Sequence, residues 1–250
     1  MPSPESALLV MCVRPQPPRR SRPIWPRVCL PTAALAFGLT LSSASLASEP
    51  LPAPYVRDAT AMSETNSVVA WIRDTADNRG LPFLIVDKLN AEVKAFDPQG
   101  RLLGSAPVLL GLTRGDVSPA GIGDRPLSAI GPEDRITPAG RFLASMGENL
   151  GGKGILWIDY DAALSLHPVV TGRISDLRLQ RLATATVEDN RISYGCVNVP
   201  VKFYDEIVQP AFSGTTGIVY ILPEVLPLAA VFSLSPEGVA PASIAGLPLV

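Results

Sequence analysis

The chain has 250 residues, of which 47% are hydrophobic and 18% charged, with a formal net charge of −2. That size and balance suit one globular domain with appendages, long enough to bury a core. No basic run occurs beyond residue 47, so nucleic acid and anionic membrane surfaces are poor partners.

At the N-terminus, Arg19, Arg20, Arg22 and Arg27 precede the uncharged apolar run VCLPTAALAFGLTLSSASLA (28–47). Ser45-Leu46-Ala47 offers the small residues that a signal peptidase reads, which predicts a signal peptide over 1–47. The run is also about long enough to span a bilayer, but Pro31 and the serine-rich end favour cleavage. Cleavage would remove five of the 21 Lys and Arg and one of the 23 Asp and Glu, leaving 16 basic and 22 acidic groups, a net charge of −6. The product would be periplasmic or otherwise exported to the cell envelope, a monomer with no integral span.

Residues 48–62 are rich in Pro and Ala and read as a linker. SETNSVVAWIRDTADNRG (63–80) reads as a helix with Ser63 as its N-cap. Val68, Val69, Ile72 and Ala76 share one face, and Gly80 stops the run. Three strands follow at 83–88, 91–97 and 101–111, with a DPQG turn at 97–100, as a β-meander. Residues 111–137 show no periodicity and are dense in Gly, Pro and charge; a loop of that length is read as a flap over a cleft. Further strands are expected at 141–146, 154–160 and 164–170. A short helix capped by Ser175 is expected over 175–185. RISYGCVNV reads as a strand entering a turn. PVKFYDEIVQPAF (200–212) reads as a helix with Pro200 in its first turn and an apolar face of Val201, Tyr204, Ile207 and Val208. A last strand at 217–222 precedes an irregular tail, 224–250. Seven or so strands with two or three short helices predict a mainly β fold, a sandwich or barrel.

Of three cysteines, Cys12 and Cys29 fall within the signal region, so the exported chain keeps only Cys196 beside its one histidine, His167. An intramolecular disulfide is thereby excluded, and the pair is too small a set for a tetrahedral zinc site. A lone cysteine is most often a small core residue, and a lone histidine is most often structural. A catalytic reading asks more of the surroundings. The thiol needs a base or a positive dipole end. The helix near Pro200 could supply the dipole, and His167 is the one available histidine. Amides around Tyr194–Cys196 could form an oxyanion hole, and Asn198 could cap the helix or bind a substrate.

PFLIVDKLNAEVKAFDPQGRLLGSAPVLLG, then TPAGRF (137–142), a histidine, and SYGCVN (193–198) resemble, in that order, the L,D-transpeptidase catalytic domain. The similarity covers about 82–223. The resemblance implies a β-sandwich-like fold opening on a cleft, spanning 81–223, with neither cofactor nor metal. It implies that Cys196 attacks the carbonyl before a D-amino acid of a peptidoglycan stem peptide, forming a thioester. His167 would be the general base, Gly195 and Cys196 the oxyanion-hole amides, and Ser193 the residue that shapes the motif loop. Departures are evident. Tyr194 stands where the family usually has a second histidine, and a phenol is no cation near neutral pH. Pro168 replaces a common glycine. His167 and Cys196 lie farther apart than usual, and the 175–185 segment reads as an insertion.

Overall fold

The computed structural model describes residues 59–172, 174–184 and 186–232. The expected signal peptide and most of the linker lie outside the described residues, as does the tail beyond Phe232. The first helix, α1, spans Ala59–Thr75. It begins four residues earlier than expected, so Ser63 sits inside it rather than capping it. It ends before Ala76, which takes a left-handed φ of 53°, and the chain then turns through Gly80.

Ten strands follow among the described residues: β1 Phe83–Asp87, β2 Glu92–Phe96, β3 Leu102–Pro107, β4 Leu110–Gly111, β5 Gly140–Glu148, β6 Gly154–Asp159, β7 Leu164–Pro168, β8 Arg191–Ser193, β9 Val197–Val199 and β10 Thr216–Ile221. The expected meander is present, as β1–β2–β3 pair antiparallel in sequence order. Eight strands form one sheet in the order β3-β2-β1-β10-β5-β6-β7-β9, and β4 and β8 pair separately. The two edges of the large sheet come together through one stretch of chain. Val108 N–H donates to Ala91 O, while Leu109 exchanges two hydrogen bonds with Asn198 of β9. The sheet is therefore nearly closed, and the fold is mainly β with a few short helices.

β1 and β10 are parallel neighbours and are covered on both faces, which explains why FLIVD reads as an unbroken apolar run rather than an alternating one. Phe83, Ile85, Ile218 and Tyr220 face α1 and pack with Val68 and Ile72. Leu84, Val86, Val219 and Ile221 face the opposite way, into a larger core shared with Leu166, Val197 and Val199. Each such side chain, fully buried, contributes about 1.5–3 kcal/mol.

The remaining helices are α2 at Arg178–Ala183, α3 over 201–212, and α4 at Leu228–Val231. In α3 the turn Tyr204–Val208 is wound as a π-helix. Pro210 lies two residues beyond it; its missing N–H and its ring loosen the ladder one turn upstream. The buried face of α3 is Phe203, Tyr204, Val208 and Phe212, whereas Val201, expected on that face, is 49% exposed. Two other expectations are corrected. Ser175 lies in a 3-10 turn, Ile174–Asp176, and α2 begins after Leu177 (φ 49°) with no side-chain cap. Residues 224–232, expected to be irregular tail, carry α4 and bury Phe232 against the α1-facing core. No described helix is long and apolar enough to cross a membrane.

Candidate functional site

The site is built where β7 pairs in parallel with β9, with Leu166 opposite Val197, His167 opposite Asn198, and Pro168 opposite Val199. Side chains alternate across a strand. Leu164, Leu166, Val197 and Val199 enter the core, so Ser165, His167, Cys196 and Asn198 share the other face. Sequence reading missed Ser165, although its place two residues before His167 on a strand put it on this face. Its hydroxyl donates to Cys196 Sγ at 3.5 Å, and the thiol points at the Ala163 carbonyl, also at 3.5 Å. Cys196 is 5% exposed and His167 is 4% exposed. His167 Nδ1 is 2.8 Å from Pro168 O, and Nε2 is 3.3 Å from Asn198 Nδ2.

The turn joining β8 to β9 carries the cysteine. Ser193 Oγ donates to Cys196 O at 2.7 Å and accepts from Gly195 N–H at 3.0 Å, closing the turn from within. Thr137, the first residue of TPAGRF, clamps it from outside. Its hydroxyl donates to Gly195 O at 2.7 Å and accepts from Gly111 N–H at 2.8 Å. Gly195 has φ +130°, and a Cβ there would lie 2.8 Å from Ile136 O. Gly195→Ala is therefore expected to destabilise the fold by about 1–3 kcal/mol and to displace Cys196. Thermal melting, together with the rate of thiol alkylation, checks it.

Cys196 lines a small recess walled by Ile122, Ile136, Pro138, Ala163 and Tyr194. Ile122 and Ile136 belong to the 111–137 segment, which contains three 3-10 turns. The Arg135 guanidinium stacks 3.9 Å from the centre of the Tyr194 ring. Tyr194 thus holds a permanent cation beside the recess, at the position expected to lack one.

The 111–137 wall is anchored by buried charge. The fully buried Lys88 donates to Asp116 at 2.7 Å and to Thr137 O at 2.8 Å. Glu224, from the supposed tail, lies 3.6 Å from Lys88 and pairs with Arg191 at 2.5 Å. Asp116 also accepts the amides of Glu224, Val225 and Leu226. Burial lowers the Lys88 ammonium below its usual range, against the opposing pull of Asp116 and Glu224. Burial pushes the Asp116 carboxyl up, but Lys88 and the accepted amides outweigh it and hold the group below the usual carboxylate range.

No protein-family model matches the chain, and no curated protein matches it significantly.

Three sequence expectations about this site change. β9 separates Cys196 from the start of α3 by three extended residues, about 10 Å. A helix dipole fades within its first turn, so α3 gives the thiol little. Asn198 is a strand residue rather than a cap; the residue ahead of α3 is Pro200, with no side-chain cap. The Gly195 amide, expected in an oxyanion hole, is held by Ser193. Among the described residues, no group of three or more His, Cys, Asp or Glu could hold a metal ion.

Proposed function

We propose that the protein is an exported cysteine acyltransferase of the L,D-transpeptidase type, with that family's sandwich-like fold and cleft, acting on peptidoglycan stem peptides. One observation carries the reading: the chain's one histidine, on β7, and the cysteine of SYGCVN, in the turn leading into the adjacent β9, lie on one face, and Cys196 lines a walled recess. Cys196 Sγ adds to the carbonyl before a D-amino acid, and His167 takes the thiol proton. That proton leaves on the amine of the departing D-amino acid, giving a thioester. The amine of a second stem peptide then attacks the thioester and restores the thiol.

Two alternatives differ in outcome. Water in place of the amine makes the protein a peptidase. A non-catalytic wall-binding role is favoured by the burial of Cys196 and by His167 having both ring nitrogens engaged. Incubation with tetrapeptide muropeptides, read by mass spectrometry beside Cys196→Ala, separates them. Cross-linked dimers with release of D-alanine are expected. Release without dimers would assign the peptidase, and no Cys196-dependent product would assign the binding role.

A further inference from the structure

We propose that Arg178, on the segment inserted between the histidine and the cysteine, is a positioning residue that fixes the tautomer of His167 through Asn198. Arg178 is buried, and its Nη1 donates to Asn198 Oδ1 at 2.9 Å while its Nε donates to Asp176 at 3.2 Å. A guanidinium can only donate. The oxygen end of the Asn198 amide must therefore face Arg178, and its NH2 end faces the other way. There it meets two acceptors, His167 Nε2 at 3.3 Å and Cys196 O at 3.4 Å. A flipped amide would set NH2 against the guanidinium and oxygen against a carbonyl, leaving buried groups unsatisfied. Nε2 is thus the accepting nitrogen. On the other side of the ring, Pro168 O can only accept, and it lies 2.8 Å from Nδ1. Nδ1 therefore carries the proton. Two independent neighbours dictate the same tautomer, and it presents the ring's lone pair toward the strand that Cys196 leads into.

The segment 175–185 thereby acquires a role. It lengthens the interval between His167 and Cys196, and it also carries the guanidinium that orients the amide between them. The catalytic consequence rests on the acyltransferase reading, because a fixed lone pair matters to the rate only if His167 is the base. The tautomer itself does not depend on that reading.

The chain has one histidine, so every imidazole signal in a nitrogen-15 correlation spectrum of the full chain belongs to His167. The wild type is expected to show a protonated Nδ1 and an unprotonated Nε2. Arg178→Met frees the amide to rotate and leaves Pro168 O alone to order the ring, so a partial population protonated at Nε2 is expected, with muropeptide acylation falling about tenfold or more. Arg178→Lys, which restores a donor to Asn198 Oδ1, is expected to recover most of both. Asn198→Asp, which replaces the donor at Nε2 with an acceptor, is expected to place a proton on Nε2, and it decides the matter if Arg178→Met does not fold. A wild-type ring protonated at Nε2 alone, or a tautomer unmoved in every variant, would overturn the proposal. An unchanged acylation rate in a variant whose tautomer has moved would overturn the positioning of a base. If the tautomers move as stated while the wild type forms no Cys196-dependent product, the positioning by Arg178 stands and the acyltransferase reading fails.

Discussion

Cys196→Ala is expected to abolish covalent acylation while leaving the fold in place. The side chain lies at the edge of the recess, and alanine removes the sulfur, with its long contacts to Ser165 and Ala163. The structural cost is about 1 kcal/mol. In the proposed reaction the chemical cost is the nucleophile itself, and loss of such a group lowers a rate by about 10³-fold or more. A carbapenem, which the family resemblance expects to acylate the thiol, provides the readout by intact mass. The wild type should gain one adduct and Cys196→Ala none. His167→Ala should slow the adduct by about 10²–10⁴-fold. An unchanged rate in that variant would remove the histidine from the mechanism. Tyr194→His should be tolerated or faster, because an imidazole in place of the phenol restores the family's residue under the Arg135 guanidinium.

The largest stability effect is expected from Asp116→Ala, a loss of about 3–5 kcal/mol. The variant strands the fully buried Lys88 without its nearest carboxylate and leaves the amides of Glu224, Val225 and Leu226 without their acceptor. For a domain of this size the melting temperature should fall by about 10 °C. Lys88→Met in the same background should recover part of the loss, since it removes the stranded charge. The coupling between the two changes is the measurement that isolates the pair. The pH dependence has a definite sign. The Asp116 carboxyl titrates below its usual range in the folded protein, so its stabilisation is complete above the unfolded value, about 3.9. That stabilisation is lost as pH falls through the lower, folded value. Asp116→Ala should flatten the stability curve in that acid window, and a curve as steep as the wild type's there would assign the acid sensitivity to other carboxylates. Because Lys88 also holds Gly115 O and Thr137 O, the variant should loosen the wall over Cys196 and speed its alkylation.

The mainly β character, the meander and the DPQG turn were legible in the sequence, as were Cys196 and the chain's one histidine as candidate residues. They depend on period-two patterning, turn chemistry and counting, which are local properties of the chain. FLIVD was legible as a strand, but its burial on both faces came from α1 on one side and from a core shared with the distant Leu166, Val197 and Val199 on the other. Ser63 and Ser175 do not mark helix starts, because α1 already begins at Ala59 and Leu177, in a left-handed conformation, precedes α2. The order of residues 224–232 was not legible because Glu224 has no periodic signature; it is held by Lys88 and Arg191, which lie far upstream. The site divides in the same way. Cys196, His167 and Gly195 could be named from residue type and motif order. Ser165 was available from strand alternation. The pairing of β7 with β9, the clamp from Thr137, the guanidinium over Tyr194 and the orientation of Asn198 by Arg178 were decided only by the tertiary structure. Each joins segments well separated along the chain, and a hydrogen bond or ring contact depends on ångström-scale distances that no local pattern encodes.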